Sequence, residues 1–247
     1  MIYEICNLKI DIQNRLRYTD NFCKNYLSAD QDCAPIFSVK VSNEAFYEEK
    51  NASPGYSDGY IENICLYREI CLQLPKFNRF LLHSCILEYK GEAYAFLGRS
   101  GTGKSTHTGL WLKYLKDTKI LNGDKPILEM TDNEVVAYGT PWMGKEGLGY
   151  NGKAPLKALC FLEQAKVNEI RTLSSAEASM RIFQQILLPS EQEAAEKTLE
   201  MIDKLLKKVP SYLLRCDISE EAVKTSFEVL TKSEYVKNKI AEKENEN

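Results

Sequence analysis

No stretch of this 247-residue sequence is apolar over the ~18 residues that a bilayer-crossing helix needs, so no membrane span is expected. The opening Met1-Ile2-Tyr3-Glu4 has neither a basic leader nor an uninterrupted apolar core, which argues against a secretory signal. An excess of one charge is missing too: 32 Lys and Arg against 35 Asp and Glu leave a net charge of -3. Nothing in that balance calls for a nucleic acid as the main partner. Histidine is scarce, with only His83 and His107, and neither falls at zinc-site spacing from a cysteine. The eight cysteines contain no CxxC pair, and several sit in apolar runs such as Ile70-Cys71-Leu72 and Leu159-Cys160-Phe161. They read as buried small hydrophobes of a reducing compartment, not as a metal–thiolate site. What is present is ordinary globular composition, 44% hydrophobic and 27% charged, which excludes wholesale disorder. The expectation is a cytoplasmic protein of one large domain, or one domain plus a small lobe.

Along the chain, Ile2–Asp11 and Ile36–Val41 read as strands, and the polar, turn-rich residues 46–58 as an exposed loop. Apolar residues from Tyr60 to Leu74 recur at helical spacing until Pro75. Two β-rich runs, Leu81–Tyr89 and Ala93–Leu97, are separated only by Lys90-Gly91-Glu92. So short a gap permits a hairpin but no helical crossover, which makes these strands antiparallel. A helix over Lys104–Leu115, a strand over Lys119–Asn122 and a second hairpin, Lys125–Met130 with Val135–Tyr138, follow. Five of the 13 glycines fall between Gly139 and Gly152, which marks a mobile or ligand-hugging loop. Leu156–Leu162 and Tyr212–Cys216 read as strands. Ser174…Glu177 and Ser190…Glu193 fit capping boxes. The second of those helices shows a core-facing stripe of Ala195, Leu199, Ile202, Leu206 and Val209. Ser219 caps a helix to about Leu230, and the charged last fifteen residues are expected to fray.

One motif carries chemistry. Gly98-Arg99-Ser100-Gly101-Thr102-Gly103-Lys104-Ser105 fits GxxxxGK[ST], the Walker A pattern, between a strand and a helix. A chance match in a chain this long is about one in a hundred. Glycines let the backbone wrap so that several N–H groups converge on phosphate oxygens, and the following helix adds its positive end. The nucleotide-binding candidates are Gly98, Ser100, Gly101, Thr102, Gly103, Lys104, Ser105 and Thr106. Lys104 is placed to reach the β- and γ-phosphates, and the Ser105 hydroxyl to hold Mg²⁺. Asp124, 20 residues after Lys104 at the end of a short strand, is either a second Mg²⁺ ligand or a plain turn aspartate. His83, on the strand that pairs with the one feeding the glycine-rich turn, is either functional or a satisfied structural residue. His107 reads as helix surface. The segment Gly139-Thr140-Pro141-Trp142-Met143-Gly144-Lys145, with Lys153, either closes over a nucleotide or forms a structural loop anchored by Trp142. Arg171 is either a phosphate contact or one half of a surface ion pair.

These residues resemble the HPr kinase/phosphorylase and phosphoenolpyruvate carboxykinase superfamily. That family leads into its phosphate-binding loop by an antiparallel strand, as expected here. HPr kinases carry a histidine on that strand at a distance like that of His83, then a Gly-x-Ser-Gly-x-Gly-Lys-Ser loop, matched by Gly98 to Ser105. Both families place a metal-binding acid in a Gly/Ala-Asp-Asp element, matched by Gly123-Asp124, whereas Lys125 stands where the second acid belongs. The resemblance covers roughly residues 80 to 165. It implies an α/β fold with an HPr kinase-like P-loop core, a mixed, partly antiparallel sheet, helices on its faces and a C-terminal helical segment.

The expected organisation is a strand-rich segment over 1–58 packed on the core, a kinase-like domain over 59–233 and a charged tail over 234–247. The implied activity is Mg²⁺-dependent transfer of a phosphoryl group from ATP or another nucleoside triphosphate to a hydroxyl. Lys104, Asp124 and His83 are its catalytic candidates, and Ser105 and Asp124 its metal ligands. The acceptor is a protein, peptide or small molecule, and a homo-oligomer is implied. The alternatives are a nucleotide sensor without turnover and a peptide-tailoring kinase.

Overall fold

The structure, a computed structural model, describes residues 1–236, so most of the tail expected over 234–247 lies outside the described residues. The chain opens with strands β1 (Ile2–Ile5) and β2 (Leu8–Ile12). The short strands expected over Ile2–Asp11 form a hairpin. Cys6 and Asn7 both take positive φ (55° and 58°), the conformation a two-residue primed turn requires. Helix α1 (Arg17–Phe22) and a 3₁₀ turn follow before β3 (Phe37–Val39), which runs parallel to β2.

The exposed loop expected over 46–58 is instead largely helix α2 (Asn43–Ala52). Polarity suggested a loop there, but Glu44, Glu48, Glu49 and Lys50 are good helix formers. The Ser42 side chain also accepts from the Ala45 N–H to start the helix. Helix α3 (Asp58–Gln73) is capped by Ser57 and passes into a 3₁₀ turn that contains Pro75.

Strand β4 (Arg79–Leu81) is short, and residues 82–84 separate it from β5 (Cys85–Tyr89). The run Leu81–Tyr89 is therefore two elements, and His83 lies in the connection between them, not on the strand that pairs with β6 (Glu92–Leu97). The hairpin itself is antiparallel, with Cys85 opposite Phe96. Next come α4 (Lys104–Tyr114), β7 (Thr118–Asn122), β8 (Ile127–Met130), β9 (Val135–Tyr138), β10 (Lys153–Gln164) and β11 (Glu169–Thr172). The chain ends with α5 (Ser175–Ile182), α6 (Gln192–Lys208), β12 (Ser211–Cys216) and α7 (Glu220–Thr231). The capping box at Ser174 and Glu177 is formed. At α6 the cap is Glu191, whose carboxylate accepts from the Glu193 and Ala194 N–H groups, and not Ser190. The buried stripe is Ala194, Thr198, Met201 and Leu205, with Ile202 and Val209 as expected, and Leu199 is exposed.

The architecture is α/β. A mixed, partly antiparallel nine-stranded sheet runs β4-β8-β9-β10-β6-β5-β7, with β12 on β10 and β11 on β12. Alternation along β5 and β6 divides the core between two faces. Cys85, Leu87, Tyr94 and Phe96 pack with Trp111 of α4 and Phe227 of α7. Ile86, Ala95 and Leu97 pack with Ile182 of α5 and Met201 and Leu205 of α6. The three-stranded N-terminal sheet joins Leu66 and Ile70 of α3, Ile127 and Trp142 in a third cluster.

All eight cysteines are free, and six of them are buried, so the burial read from the sequence holds for most of them. His107, expected on the helix surface, is also buried, because α7 covers that face of α4. Its Nε2 lies 3.0 Å from Ser226 Oγ, which also accepts from Trp111 Nε1 at 2.9 Å. Burial lowers the His107 pKa to about 4. An unfolded chain binds this proton near pH 6.5, so the unfolded state takes up more protons between pH 6.5 and 4. Stability should fall as pH drops through that window, by about 3 kcal/mol at its acid end. Denaturant melts of wild type and His107→Gln at pH 7 and pH 4.5 measure it, with the variant expected to lose part of the pH dependence.

Candidate functional site

The sheet register gathers the site. Because β5 is antiparallel to both neighbours, its start lies beside the ends of β6 and β7: Cys85 faces Phe96, and Ile86 faces Asn122. Parallel β10 and β12 bring their own ends, Gln164 and Cys216, to the same edge. The segment before β5 therefore holds His83 next to the turn after β6 (98–103) and the turn after β7 (123–125). Crevices outside the carboxyl ends of strands are where α/β sheets place ligands.

The turn after β6 is shaped by glycine. Gly101 and Gly103 have φ of +81° and +99°, a region that side chains with a Cβ rarely enter. A Cβ at either would meet nothing within 4 Å, so the turn's outer surface is open. Thr102 Oγ1 donates to Arg99 O at 2.9 Å, and Gln164 Nε2 donates to Gly101 O at 3.0 Å, which together hold the turn. Every described helix of eight or more residues except α4 begins under a side-chain cap. Helix α4 starts on bare Gly103 with no acid in its first turn, which leaves its first N–H groups and positive end for another acceptor. Lys104 Nζ donates to Gly98 O at 2.7 Å, which arches the side chain back over the turn. Burial lowers the Lys104 pKa, and the nearby Asp124 charge opposes that shift.

Asp124 sits on a turn made by Asn122, whose Oδ1 accepts from the Asp124 and Lys125 N–H groups at 2.9 and 2.7 Å. Asn122 is itself buried and donates to Thr140 O and Oγ1. Gly123 is needed for close approach, since a Cβ there would lie 2.7 Å from Met143 O. His83 Nε2 lies 3.0 Å from Asp124 Oδ1, and Lys125 Nζ lies 3.5 Å from Oδ2. Burial alone would raise the Asp124 pKa, but the His83 hydrogen bond and the Lys125 charge outweigh it and hold the carboxyl below its usual range. Lys125 also lies 5.2 Å from the Tyr67 ring centroid.

These groups line one cavity of about 790 Å³. His83, Ser100, Gly101, Gly103, Lys104, Ser105, Thr106 and Asp124 all border it, whereas Gly98 and Thr102 do not. Its opposite wall is aromatic: Tyr18 and Phe22 of α1, Tyr60 and Tyr67 of α3, and Trp142. That wall is built, not incidental. Buried Glu62 accepts from the Arg15 and Leu16 N–H groups and ties down the start of α1. Gly59 lets Tyr18 lie against α3, since a Cβ there would come within 2.5 Å of Tyr18 Cβ. Trp142 Nε1 donates to Asn63 Oδ1 at 3.0 Å, and the ring packs on Tyr67. Trp142 is thus a buried packing anchor that also faces the cavity. Lys145 borders the cavity, while Lys153 lies over the Tyr138 ring and is not among the lining residues. Arg171 pairs with Glu177 at 2.8 Å on the surface.

Apart from Trp142, sequence reasoning missed the aromatic wall, because Tyr18, Phe22, Tyr60 and Tyr67 come from two helices well before the glycine-rich turn and carry no motif. Asn122 had a legible signal, the turn-forming Asn-Gly-Asp. Among the described residues no group of three or more His, Cys, Asp and Glu side chains is gathered for a metal. No described helix is long and apolar enough to cross a membrane.

No family model matches the chain, and no curated protein matches it. Among solved structures it is similar to that of the Hpr(Ser) kinase/phosphatase from Coxiella burnetii, at 10% identity and a TM-score of 0.34, over 62% of this chain and 93% of the other.

Proposed function

We propose that this chain is a Mg²⁺-dependent phosphotransferase of the HPr kinase-like kind, with a P-loop core in residues 59–233. It would move the γ-phosphoryl group of ATP to a hydroxyl of a protein, peptide or small molecule. One observation carries the reading. The GxxxxGK[ST] turn, with the uncapped start of α4, opens onto the same cavity as Lys104, Asp124 and His83.

Backbone N–H groups of 100–106 grip the phosphate tail, and Lys104 swings from Gly98 O onto the β- and γ-phosphate oxygens. Mg²⁺ is commonly held by one or two protein oxygens together with phosphates, and the Asp124 carboxylate and Ser105 hydroxyl supply such a pair on one cavity. When bound there, it would supply charge neutralisation on the phosphate oxygens. His83, hydrogen-bonded to Asp124, would take the proton released by the acceptor hydroxyl. The aromatic wall would meet the flat or apolar part of a ligand and not its polyphosphate tail.

A second reading, a nucleotide sensor without turnover, is favoured by Lys125, which lies against Asp124 where the family has its second acid. Purified chain with Mg²⁺ and γ-labelled ATP, incubated with a broad acceptor extract, separates the two. Label on an acceptor hydroxyl is expected. Tight Mg²⁺·ATP binding in calorimetry with no transfer and no hydrolysis would instead establish the sensor.

A further inference from the structure

The aromatic wall of the main cavity is continuous with its reacting end. Lys125 Nζ lies 3.5 Å from Asp124 Oδ2 and 5.2 Å from the Tyr67 ring centroid, and that ring lies 4.9 Å from the ring of Trp142. Gly144 closes the corner, since a Cβ there would come within 3.0 Å of Asp124 Cβ. From this corner the rings continue outward. Tyr60 lies two turns before Tyr67 on the same face of α3, Tyr18 meets Tyr60 edge-on at 6.4 Å, and Phe22 stacks on Tyr18 at 5.8 Å. Resting on the phosphotransfer reading above, we infer that this wall is the acceptor subsite, and that the acceptor is a small, uncharged ring alcohol of the carbohydrate class.

Position, charge and composition each point that way. The rings adjoin Asp124, so a donor base laid on them would have to fold back beside its own γ-phosphate. A second cavity of about 480 Å³, walled by the ends of β10 and β12 behind the glycine-rich turn, is lined by no Phe, Tyr or Trp. The main cavity is lined by four cationic side chains, Arg68, Lys104, Lys125 and Lys145, against acidic Asp124 and Glu146. A Mg²⁺-bound triphosphate neutralises that excess, so the acceptor itself need bring no charge. The wall is also amphipathic. Among the described residues the Tyr18 and Tyr60 hydroxyls have no protein partner, and Arg68 is engaged through Nη1 alone, by Glu49. Flat apolar faces edged by hydroxyls and guanidinium donors match a sugar ring, which has an apolar C–H face and a rim of hydroxyls. The volume, about 790 Å³, accommodates a phosphate tail with one small ligand beside it.

A ring lying on Tyr60 and Tyr67 presents a rim hydroxyl to the γ-phosphate. Its oxygen bonds the γ-phosphorus as the bond from that phosphorus to the bridging oxygen of the nucleoside diphosphate breaks. The hydroxyl proton passes to His83, and the diphosphate leaves.

The test incubates wild type and Mg²⁺·γ-labelled ATP with a cell extract divided into protein, charged small-molecule and neutral small-molecule fractions. Label is expected from the neutral fraction, on a product from which phosphatase releases an uncharged compound destroyed by periodate. Transfer confined to the protein or the charged fraction overturns the acceptor assignment and leaves the transferase reading standing. ATP binding in calorimetry with transfer to no fraction defeats both. Tyr18 and Phe22 are each 37% exposed, so Tyr18→Ser with Phe22→Ser tests the placement without opening a core. The double variant should need about tenfold more of the neutral fraction for half-maximal transfer, with ATP affinity unchanged. An unmoved requirement, or a loss of ATP affinity in its place, overturns the placement. Should the double variant not fold, Phe22→Leu is read in the same way, with a rise of about threefold expected.

Discussion

Lys104→Ala is expected to abolish phosphoryl transfer while leaving the chain folded. The side chain is half-buried at the first position of α4, and its ammonium is spent only on Gly98 O and Arg99 O. Arg99 O also accepts from the Thr102 N–H and hydroxyl, and alanine is a good helix former. The melting temperature should therefore barely move. The cost falls on the phosphates. Under the proposed reading, Lys104 is the nearest cation to the bond that breaks, and charge neutralisation dominates this chemistry. Removing one such charge-stabilising donor typically costs a hundredfold or more, about 10²–10³ in rate. A γ-labelled ATP assay on wild type and variant at matched protein concentration measures it, and full transfer by the variant would refute the proposed function. Because Lys104 sits in a partly dehydrated pocket that lowers its pKa, Lys104→Arg is not expected to rescue.

Asp124→Asn is expected to be nearly as severe, by a different route. Asparagine keeps the shape and the turn at Asn122 but removes the negative charge that His83 and Lys125 both face. Transfer should fall by about 10²–10³ at saturating ATP. The signature is in the metal dependence. Wild type should bind ATP more tightly with Mg²⁺ than with a chelator, whereas the variant should lose most of that difference, because the Ser105 hydroxyl and a neutral amide oxygen replace the hydroxyl–carboxylate pair. Metal-free ATP should bind the variant at least as well as wild type, since a charge that repels phosphate is gone. A variant that retains transfer within about threefold and keeps its Mg²⁺ dependence would remove Asp124 from the site.

The antiparallel hairpin before the glycine-rich turn was legible because a three-residue gap admits no other connection. The helix after it, the turn at Asp124 and most later elements were also legible, from periodicity and from Gly, Asn and Ser punctuation. Three errors have separate causes. Residues 46–58 looked like loop because polarity was read without the Ser42 cap. His107 looked exposed because its own helix says nothing of α7. The α6 stripe was misplaced by one residue because packing against α5 and the sheet, not the helix's own pattern, sets the buried face. His83 reached the site although its strand assignment was wrong, since the connection between β4 and β5 lies at the same sheet edge.

Local chemistry by itself determined the GxxxxGK[ST] turn, the helix behind it and the short reach from Lys104 to Asp124. Those depend on glycine dihedrals, capping and a few tens of residues of chain. Only the tertiary structure decided that His83 hydrogen-bonds Asp124, that Lys125 occupies its other oxygen, and that α1 and α3 raise an aromatic wall opposite the turn. Likewise only the folded sheet made a second cavity between the ends of β10 and β12. The physical reason is register: one antiparallel strand among parallel neighbours brings the beginning of β5 to the ends of β6, β7, β10 and β12. No local pattern encodes which strands will lie side by side.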